Sequence, residues 1–180
     1  MEKTEVWKVI YTASRQEKKV AAMLEKFGIE YYLPLTKKLR LWSDRKKWVE
    51  MPLFNGYVFV KPKHGERDRA LDIPGVVKYV KYNGTDAIVS NREIEFIQRL
   101  VDTGYNLEEA GSEHLCVGEK VIITQGPMKG IEGVVIKAKK GDYSVYINFE
   151  TIAQSLKIKI DRRLLTKSQS SNRIKNTSEQ

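Results

Sequence analysis

Short runs rich in β-branched and aromatic residues recur along the first hundred positions. Val6 to Tyr11 (VWKVIY) has the composition of a strand, and so do Ile29 to Leu33 and Val76 to Tyr82. Phe54 to Val60 contains an Asn-Gly pair, which readily adopts positive φ, so this segment predicts a turn that leads into a strand. The pattern predicts a sheet of at least four strands.

Two other segments have helical periodicity, and each begins with the spacing of a capping box. Residues 14–17 (SRQE) and 90–93 (SNRE) place a Ser and a Glu three positions apart, and apolar residues follow at helical spacing. Lys37 to Met51 consists of two alternating segments about residues 43–45 and predicts a hairpin that projects from the domain. With a short helix after His64, this order predicts an α+β sandwich, with helices packed on a mainly antiparallel sheet.

From Val117 onward the pattern predicts short strands alone, separated by Gly-containing turns. The spacing of these strands is typical of a small β-barrel. The predicted strands are Lys120 to Thr124, Gly133 to Lys137, Ser144 to Phe149 and Ser155 to Ile160.

Composition adds a strong but uneven basic charge. The 180 residues include 32 Lys and Arg against 23 Asp and Glu, for a net charge of +9. Residues 102–116 interrupt this excess with four acids and no base, in a Gly-punctuated composition typical of a linker. We therefore divide the chain into a first domain (1–101), an acidic flexible linker (102–116), a barrel domain (117–165) and a disordered tail (166–180).

Several classes of protein are disfavoured by what the sequence lacks. No apolar run approaches the roughly 18–20 residues of a membrane span, so a soluble cytoplasmic monomer without membrane contact is expected. One cysteine (Cys116) and two histidines (His64 and His114) are too few for an ordinary zinc site. No nucleophile set, phosphate loop or carboxylate pair stands out, so we expect neither an enzyme nor a cofactor.

The motifs of both parts resemble those of the NusG family of transcription factors. Gly118-Glu119-Lys120-Val121, Gly126-Pro127-Met128-Lys129-Gly130 and Gly133-Val134-Val135 resemble a KOW domain, which is a five-stranded barrel. The first part resembles the NusG N-terminal (NGN) domain at Trp7, Tyr11, Glu17-Lys18-Lys19-Val20, Tyr32-Leu33-Pro34, residues 52–60 (PLFNGYVFV) and Pro74-Gly75-Val76-Val77. Residues 42–48 (WSDRKKW) and 154–156 (QSL) are most similar to the specialised UpxY and RfaH paralogues.

The resemblance implies RNA polymerase as the principal partner. The clamp helices of its largest subunit would enter an apolar pocket lined by Tyr11, Phe54, Tyr57, Phe59 and Tyr79. From composition alone, core packing is an equally good interpretation of each of these aromatics. Arg67 and Arg69 would contact the gate loop of the second-largest subunit.

Two basic clusters are candidates for contact with DNA, the first with the non-template strand and the second with upstream or non-template DNA. The first is Arg15, Gln16, Lys18 and Lys19 at the start of the first helix, and the second is Arg45, Lys46 and Lys47 in the hairpin. The resemblance places the first cluster near DNA, where phosphate neutralisation would make binding salt-dependent. A solvated charged face, and Trp42 paired with Trp48 across the hairpin, are the alternatives.

In the barrel domain, Phe149 and Ile152 occupy the loop that the family uses for partner contact. Their uncertain register puts binding of the termination factor Rho in doubt and leaves coupling to a small-subunit ribosomal protein open. The sequence predicts a non-catalytic elongation or antitermination factor that suppresses pausing or termination at specific operons. The alternative is a ribosome-associated or RNA-binding KOW protein, which would need basic surface but no aromatic pocket.

Overall fold

The computed structural model describes residues 5–41, 45–102, 108–109, 118, 120–126, 128–139 and 142–168. Three features expected from the sequence lie outside the described residues. They are the tip of the hairpin at residues 42–44, most of the linker, and the tail from residue 169 onward.

The first part contains nine strands and three helices among its described residues. In chain order these are β1 (Trp7–Thr12), α1 (Glu17–Lys26), β2 (Glu30–Tyr32), β3 (Leu35–Leu41), β4 (Lys46–Pro52), β5 (Tyr57–Lys61), α2 (Glu66–Leu71), β6 (Val76–Tyr79), β7 (Lys81–Tyr82), β8 (Thr85–Asp86), β9 (Ile88–Val89) and α3 (Asn91–Asp102). The main sheet is antiparallel and has the order β2-β5-β1-β6, with β9 also paired to β1. The predicted mixture of an antiparallel sheet with a few helices is confirmed.

Helices cover both faces of this sheet, because alternate side chains of a strand point in opposite directions. Ile10 of β1 is buried in one cluster with Val20 and Leu24 of α1. Val9 faces the other way and is buried in a second cluster with Ile97 of α3. The central strand β1 therefore contributes to two cores at once.

The two predicted capping boxes have different outcomes. At α3 the box is confirmed: the Ser90 backbone N–H donates to Glu93 Oε2 at 2.8 Å, and the Glu93 N–H donates to Ser90 Oγ at 3.2 Å. At α1 the prediction is wrong, because the N-cap is Gln16 without a side-chain capping bond. The Glu17 carboxylate instead accepts the Gly56 N–H at 2.7 Å, so a long-range contact takes the place of the local one.

The projecting hairpin is confirmed as β3 and β4, which pair with each other in a separate two-stranded sheet. A second separate hairpin is formed by β7 and β8. β7 lies at the end of the segment from Val76 to Tyr82 that was predicted as one strand, and β8 follows that segment. Asn83 and Gly84 form its turn with φ of 48° and 81°, a conformation that these two residue types tolerate.

The second part is an antiparallel sheet with the order β10-β14-β13-β12-β11-β15. Its strands are β10 (Glu108–Glu109), β11 (Lys120–Ile123), β12 (Glu132–Lys139), β13 (Asp142–Phe149), β14 (Gln154–Asp161) and β15 (Leu165–Lys167), with 3₁₀ turns at Glu150–Ile152 and Arg162–Leu164. Among the described residues no pairing joins β10 to β15, so the sheet is open where a closed five-stranded barrel was expected. The end strand β10 lies within the residues assigned above to the linker. The other end strand, β15, begins at the last residue of the predicted barrel domain and continues into the predicted tail.

Candidate functional site

An open cavity of about 730 Å³ lies at the β6 side of the first sheet. Its walls combine aromatic and aliphatic side chains with a few charged ones. The lining residues are Tyr11, Tyr57, Arg67, Leu71, Val77, Lys78, Tyr79, Val80, Lys81 and Asp86. We call this cavity the aromatic pocket.

Tyr11 and Tyr57 form the most accessible aromatic wall of the pocket. They are paired across β1 and β5, and their rings meet edge to face with centroids 5.5 Å apart. Gly56 has φ of 79°, and a Cβ there would lie 2.8 Å from the Tyr11 ring, so glycine is needed for both conformation and space. The bond from the Gly56 N–H to Glu17 fixes this turn beneath the Tyr11 ring.

A charged cluster contributes another part of the pocket wall through Arg67 and Asp86. Arg67 binds Asp86 through two hydrogen bonds, Nε to Oδ2 at 2.8 Å and a terminal nitrogen to Oδ1 at 3.1 Å. Lys8 Nζ donates to the same carboxylate at 3.0 Å. The hydrogen bonds from Arg67 lower the pKa of Asp86 to about 2, and Lys8 contributes in the same direction. Asp86 is therefore a fixed anion at neutral pH, and it holds α2 against β8.

Tyr79 lies within this charged cluster and is buried. Its hydroxyl donates to the Arg67 carbonyl oxygen at 3.1 Å, and the Arg67 guanidinium lies 4.8 Å from its ring centroid. Burial raises the pKa of Tyr79 to about 12, so its hydroxyl stays protonated and remains a donor. Of the five aromatics predicted to line a pocket, Tyr11, Tyr57 and Tyr79 do so.

Phe54 and Phe59 lie elsewhere, in the core between the two parts of the chain. Both are fully buried, and their rings contact each other edge to face at 6.2 Å. Phe149, from the end of β13, contacts Phe54 edge to face at 5.5 Å and stacks on Phe96 of α3 at 5.8 Å. Phe54 thus joins the first part to the second through Phe149, Phe59 packs against Phe54 in the same core, and both lie outside the pocket lining.

The second part also reaches the wall of the pocket. Gln154 Nε2 donates to the Tyr57 hydroxyl at 3.2 Å, immediately after the 3₁₀ turn that contains Ile152. Phe149 and Ile152, predicted to contact a partner, are 5 % and 3 % exposed within the core shared by the two parts. The loop that contains them is therefore occupied by the first part in this structure.

The predicted nucleic-acid residues lie at the start of α1 and in the β3–β4 hairpin. Arg15 is exposed with a φ of 61°, and Lys19 is exposed one turn later. Gln16 is half-buried as the N-cap, and Lys18 Nζ donates to the Glu50 carbonyl oxygen at 2.9 Å. Arg45, Lys46 and Lys47 are exposed in the hairpin, and Arg69, predicted to contact the gate loop, is exposed with its guanidinium 5.9 Å from the Phe27 ring centroid.

Sequence reasoning missed several residues of this region. Lys8 and Asp86 had no signal as a pair, because they are 78 positions apart and meet through the pairing of β1 with β9. Phe96 lies in the segment predicted as a helix, and nothing in that pattern indicates its contact with Phe149. Val77 could have been found, since the expected strand placed it beside Tyr79, and it is 57 % exposed.

Two features are absent from the described part of the chain. No group of three or more His, Cys, Asp or Glu side chains there could hold a metal ion. No helix in that part has the length and apolar character needed to cross a membrane.

The Asp86 cluster gives a pH-dependent prediction. The folded-state pKa of Asp86 lies near 2, below its usual 3.8, so the stabilisation is complete above about pH 4 and is lost as the pH falls toward 2. Asp86→Asn should lower the free energy of unfolding at pH 7 by about 1–2 kcal/mol, and its difference from the unmodified chain should shrink below pH 4. Urea unfolding between pH 2 and 7 measures this. Asp68→Asn is the control, because its carboxylate is 86 % exposed although it also bonds Arg67, and it should change little.

The contact between the two parts gives a second prediction. Phe149→Ala removes both ring contacts and should cost about 3–5 kcal/mol, so the two parts should separate. Small-angle scattering should show a larger radius of gyration, while an unchanged circular dichroism spectrum distinguishes separation from unfolding. Phe27→Ala, at a ring that is 40 % exposed, should leave the radius unchanged. A compact Phe149→Ala protein would show that other contacts hold the two parts together.

Comparison with known proteins places the chain in a family. The family model described as "NusG: Transcription termination factor nusG" matches residues 5–98. A comparison with curated protein sequences gives no significant match.

Two solved structures align with the chain, and the first is similar in fold. NusG of Thermotoga maritima, in a structure titled for its domain interaction, superposes with a TM-score of 0.60 at 22 % identity, over 93 % of this chain and 99 % of that one. The MjSpt4:Spt5 complex in conformation B aligns over 89 % of this chain and 95 % of that one at 20 % identity, with a TM-score of 0.29. The family model matches more than half of the residues, and the chain belongs to the NusG family of transcription factors.

Proposed function

We propose that this protein is a transcription elongation and antitermination factor that binds RNA polymerase through the aromatic pocket. The observation that carries the proposal is the open cavity of about 730 Å³, in which Tyr11 is 38 % and Val77 57 % exposed. A concavity lined by aromatics, of which Tyr11 is exposed, is typical of interfaces in which a few side chains dominate the affinity. The clamp helices of the largest polymerase subunit are the partner that we assign to the pocket.

The NusG family is a family of non-enzymatic transcription factors, so we propose a mechanism of binding without catalysis. A factor held on the clamp would stabilise the closed polymerase and so suppress pausing or termination. Arg15 and Lys19 extend from the start of α1 and would contact non-template DNA through its phosphates. Arg69 would reach the gate loop, while Arg67 is largely engaged by Asp86 and would shape the pocket wall.

We assign the second part as a KOW domain with a recruiting role. Phe149 and Ile152 are buried against the first part, so they would become available to a partner such as a small-subunit ribosomal protein once the two parts separate. Separation would also uncover Phe54, which could then extend the polymerase-binding surface. Phe59 would stay in the core, where it stacks on Tyr32.

We further propose a specialised role of the UpxY and RfaH kind, supported by the hairpin sequence around Trp48 and by Gln154 at the interface between the two parts. A specialist should accompany polymerase at a few operons. Mapping the occupancy of the protein across a genome, together with that of polymerase, tests this role. Occupancy at all transcribed genes would contradict it and indicate a general elongation factor.

Tyr11→Ala tests the pocket directly. Loss of the exposed ring should weaken retention of the protein by core RNA polymerase about tenfold or more, because hot-spot aromatics typically contribute 2 kcal/mol or more. Pull-down with core RNA polymerase measures the retention. A thermal melt of the variant should stay near that of the unmodified protein, which shows that the fold is intact. Tyr82→Ala is the matched control, since Tyr82 is 43 % exposed and lies outside the pocket lining. Equal retention of both variants would overturn the pocket assignment.

A further inference from the structure

One face of the first sheet carries a row of three side chains that ends in a cation. Residues directly opposite each other in an antiparallel pair project to the same side of the sheet. Tyr11 of β1 is opposite Tyr57 of β5 and, on its other side, opposite Lys78 of β6. The row therefore crosses three strands, and all three of its side chains line the aromatic pocket.

Lys78 lies at the open end of this row. β6 pairs with β1 and with no other described strand, so it forms an edge of the main sheet. Lys78 is exposed on that edge, and its ammonium group makes no hydrogen bond or ion pair with a described residue. The aromatic wall thus ends in a charge that no described group of the protein balances.

The other cations of the pocket lining have a carboxylate beside them. Arg67 donates two hydrogen bonds to Asp86, and Lys81 is directly opposite Asp86 in the pairing of β7 with β8. Tyr79, which follows Lys78 on β6, projects to the opposite face of the sheet and reaches the Arg67 carbonyl oxygen there. Among the described residues, neither hydrogen bonding nor strand pairing supplies a carboxylate to Lys78.

This placement limits which partner the row can accept. A partner that covers Tyr11 would also remove water from the ammonium group beside it in the row. Burial of an unpaired charge is unfavourable, whereas a carboxylate at the same point compensates the loss of hydration. Neighbouring strands are roughly 5 Å apart, so a partner with apolar side chains against Tyr11 should carry an Asp or Glu about that distance away.

We propose that Lys78 is a specificity residue of the aromatic pocket and pairs with a carboxylate on the segment of RNA polymerase that docks against Tyr11. The inference rests on the proposed function, since polymerase is the partner assigned to the pocket. It adds the chemistry of the partner surface, which is apolar with an Asp or Glu beside the apolar contact. Opposite charges at such a point select the partner and fix its register.

Three substitutions at Lys78 test the ion pair by titration of the full chain with core RNA polymerase of the same organism, in the absence of nucleic acid. Lys78→Arg keeps the charge and should bind within about twofold of the unmodified protein. Lys78→Met removes the charge at similar length and should weaken binding about threefold, as for an exposed ion pair. Lys78→Glu brings two carboxylates together and should weaken binding about tenfold or more. Thermal melts should be unchanged, because Lys78 is exposed on an edge strand.

Lys26→Glu is the matched control for net charge. Lys26 is exposed in the last turn of α1 and lies outside the pocket lining, so the same charge reversal there should leave the affinity nearly unchanged. An equal loss in Lys26→Glu would overturn the proposal. Unchanged binding by Lys78→Met would also overturn it, and so would a loss in Lys78→Glu that appears only when DNA is added.

A zero-length carbodiimide cross-linker identifies the counter-charge directly. The reagent condenses an amine and a carboxylate that are in contact into an amide, and the water removed converts the carbodiimide into a urea. Lys78 should become joined to an Asp or Glu of the largest polymerase subunit, which mass spectrometry of the digested complex locates. Lys78→Arg should lose this cross-link while it keeps its affinity. A complex that forms normally without a cross-link at Lys78 would contradict the ion pair.

Failure of this proposal can be told from failure of the proposed function. If Tyr11→Ala weakens polymerase binding while the Lys78 variants bind normally, the pocket assignment stands and the ion pair alone is overturned. If Tyr11→Ala binds normally while Lys78 still cross-links to polymerase, the pocket assignment fails and the ion pair stands.

Discussion

The contact of Phe149 with Phe54 and Phe96 determines how the two parts of the chain are arranged. One ring from the end of β13 fills the space between the first sheet and α3, and apolar side chains of both parts share a single buried cluster. This contact brings Gln154 within reach of the Tyr57 hydroxyl. It covers Phe54 but leaves Tyr11 accessible, so the aromatic pocket stays open while the two parts are joined.

Two carboxylates fix elements that form the pocket wall. Glu17, from the first turn of α1, holds the Gly56 turn that lies under the Tyr11 ring. Asp86, from β8, holds Arg67 of α2 and Lys8 of β1. Each anion connects elements that are distant in sequence. Glu17 thus helps to position the Tyr11 part of the pocket wall, and Asp86 the Arg67 part.

Local patterns predicted much of the fold, because the strands and α3 depend mostly on their own residues. The β3–β4 hairpin, β1, β5 and the Ser90 capping box follow from alternation and cap spacing. The residues around Ser14 have the same local spacing, but the tertiary bond from Glu17 to Gly56 overrides it. Two-residue strands such as β9 have too short a pattern to detect. The burial of Phe54 depends on Phe149, 95 positions away, and no local pattern predicts such a contact.

The charged groups of the pocket and of the start of α1 differ in their partners, and this separates the two proposed contacts physically. In the pocket, Asp86 accepts hydrogen bonds from both Arg67 and Lys8 at 2.8–3.0 Å, and the proposed binding there would also draw on burial of Tyr11 and Val77, which salt screens little. At the start of α1, the proposed DNA contacts Arg15 and Lys19 are exposed, and an attraction of exposed cations for phosphate would depend steeply on salt. The net charge of +9 therefore does not describe the basic residues uniformly, because some of them are paired with a carboxylate within the protein and others are exposed. A change in ionic strength would therefore alter the affinity for DNA strongly and the affinity for a protein partner little.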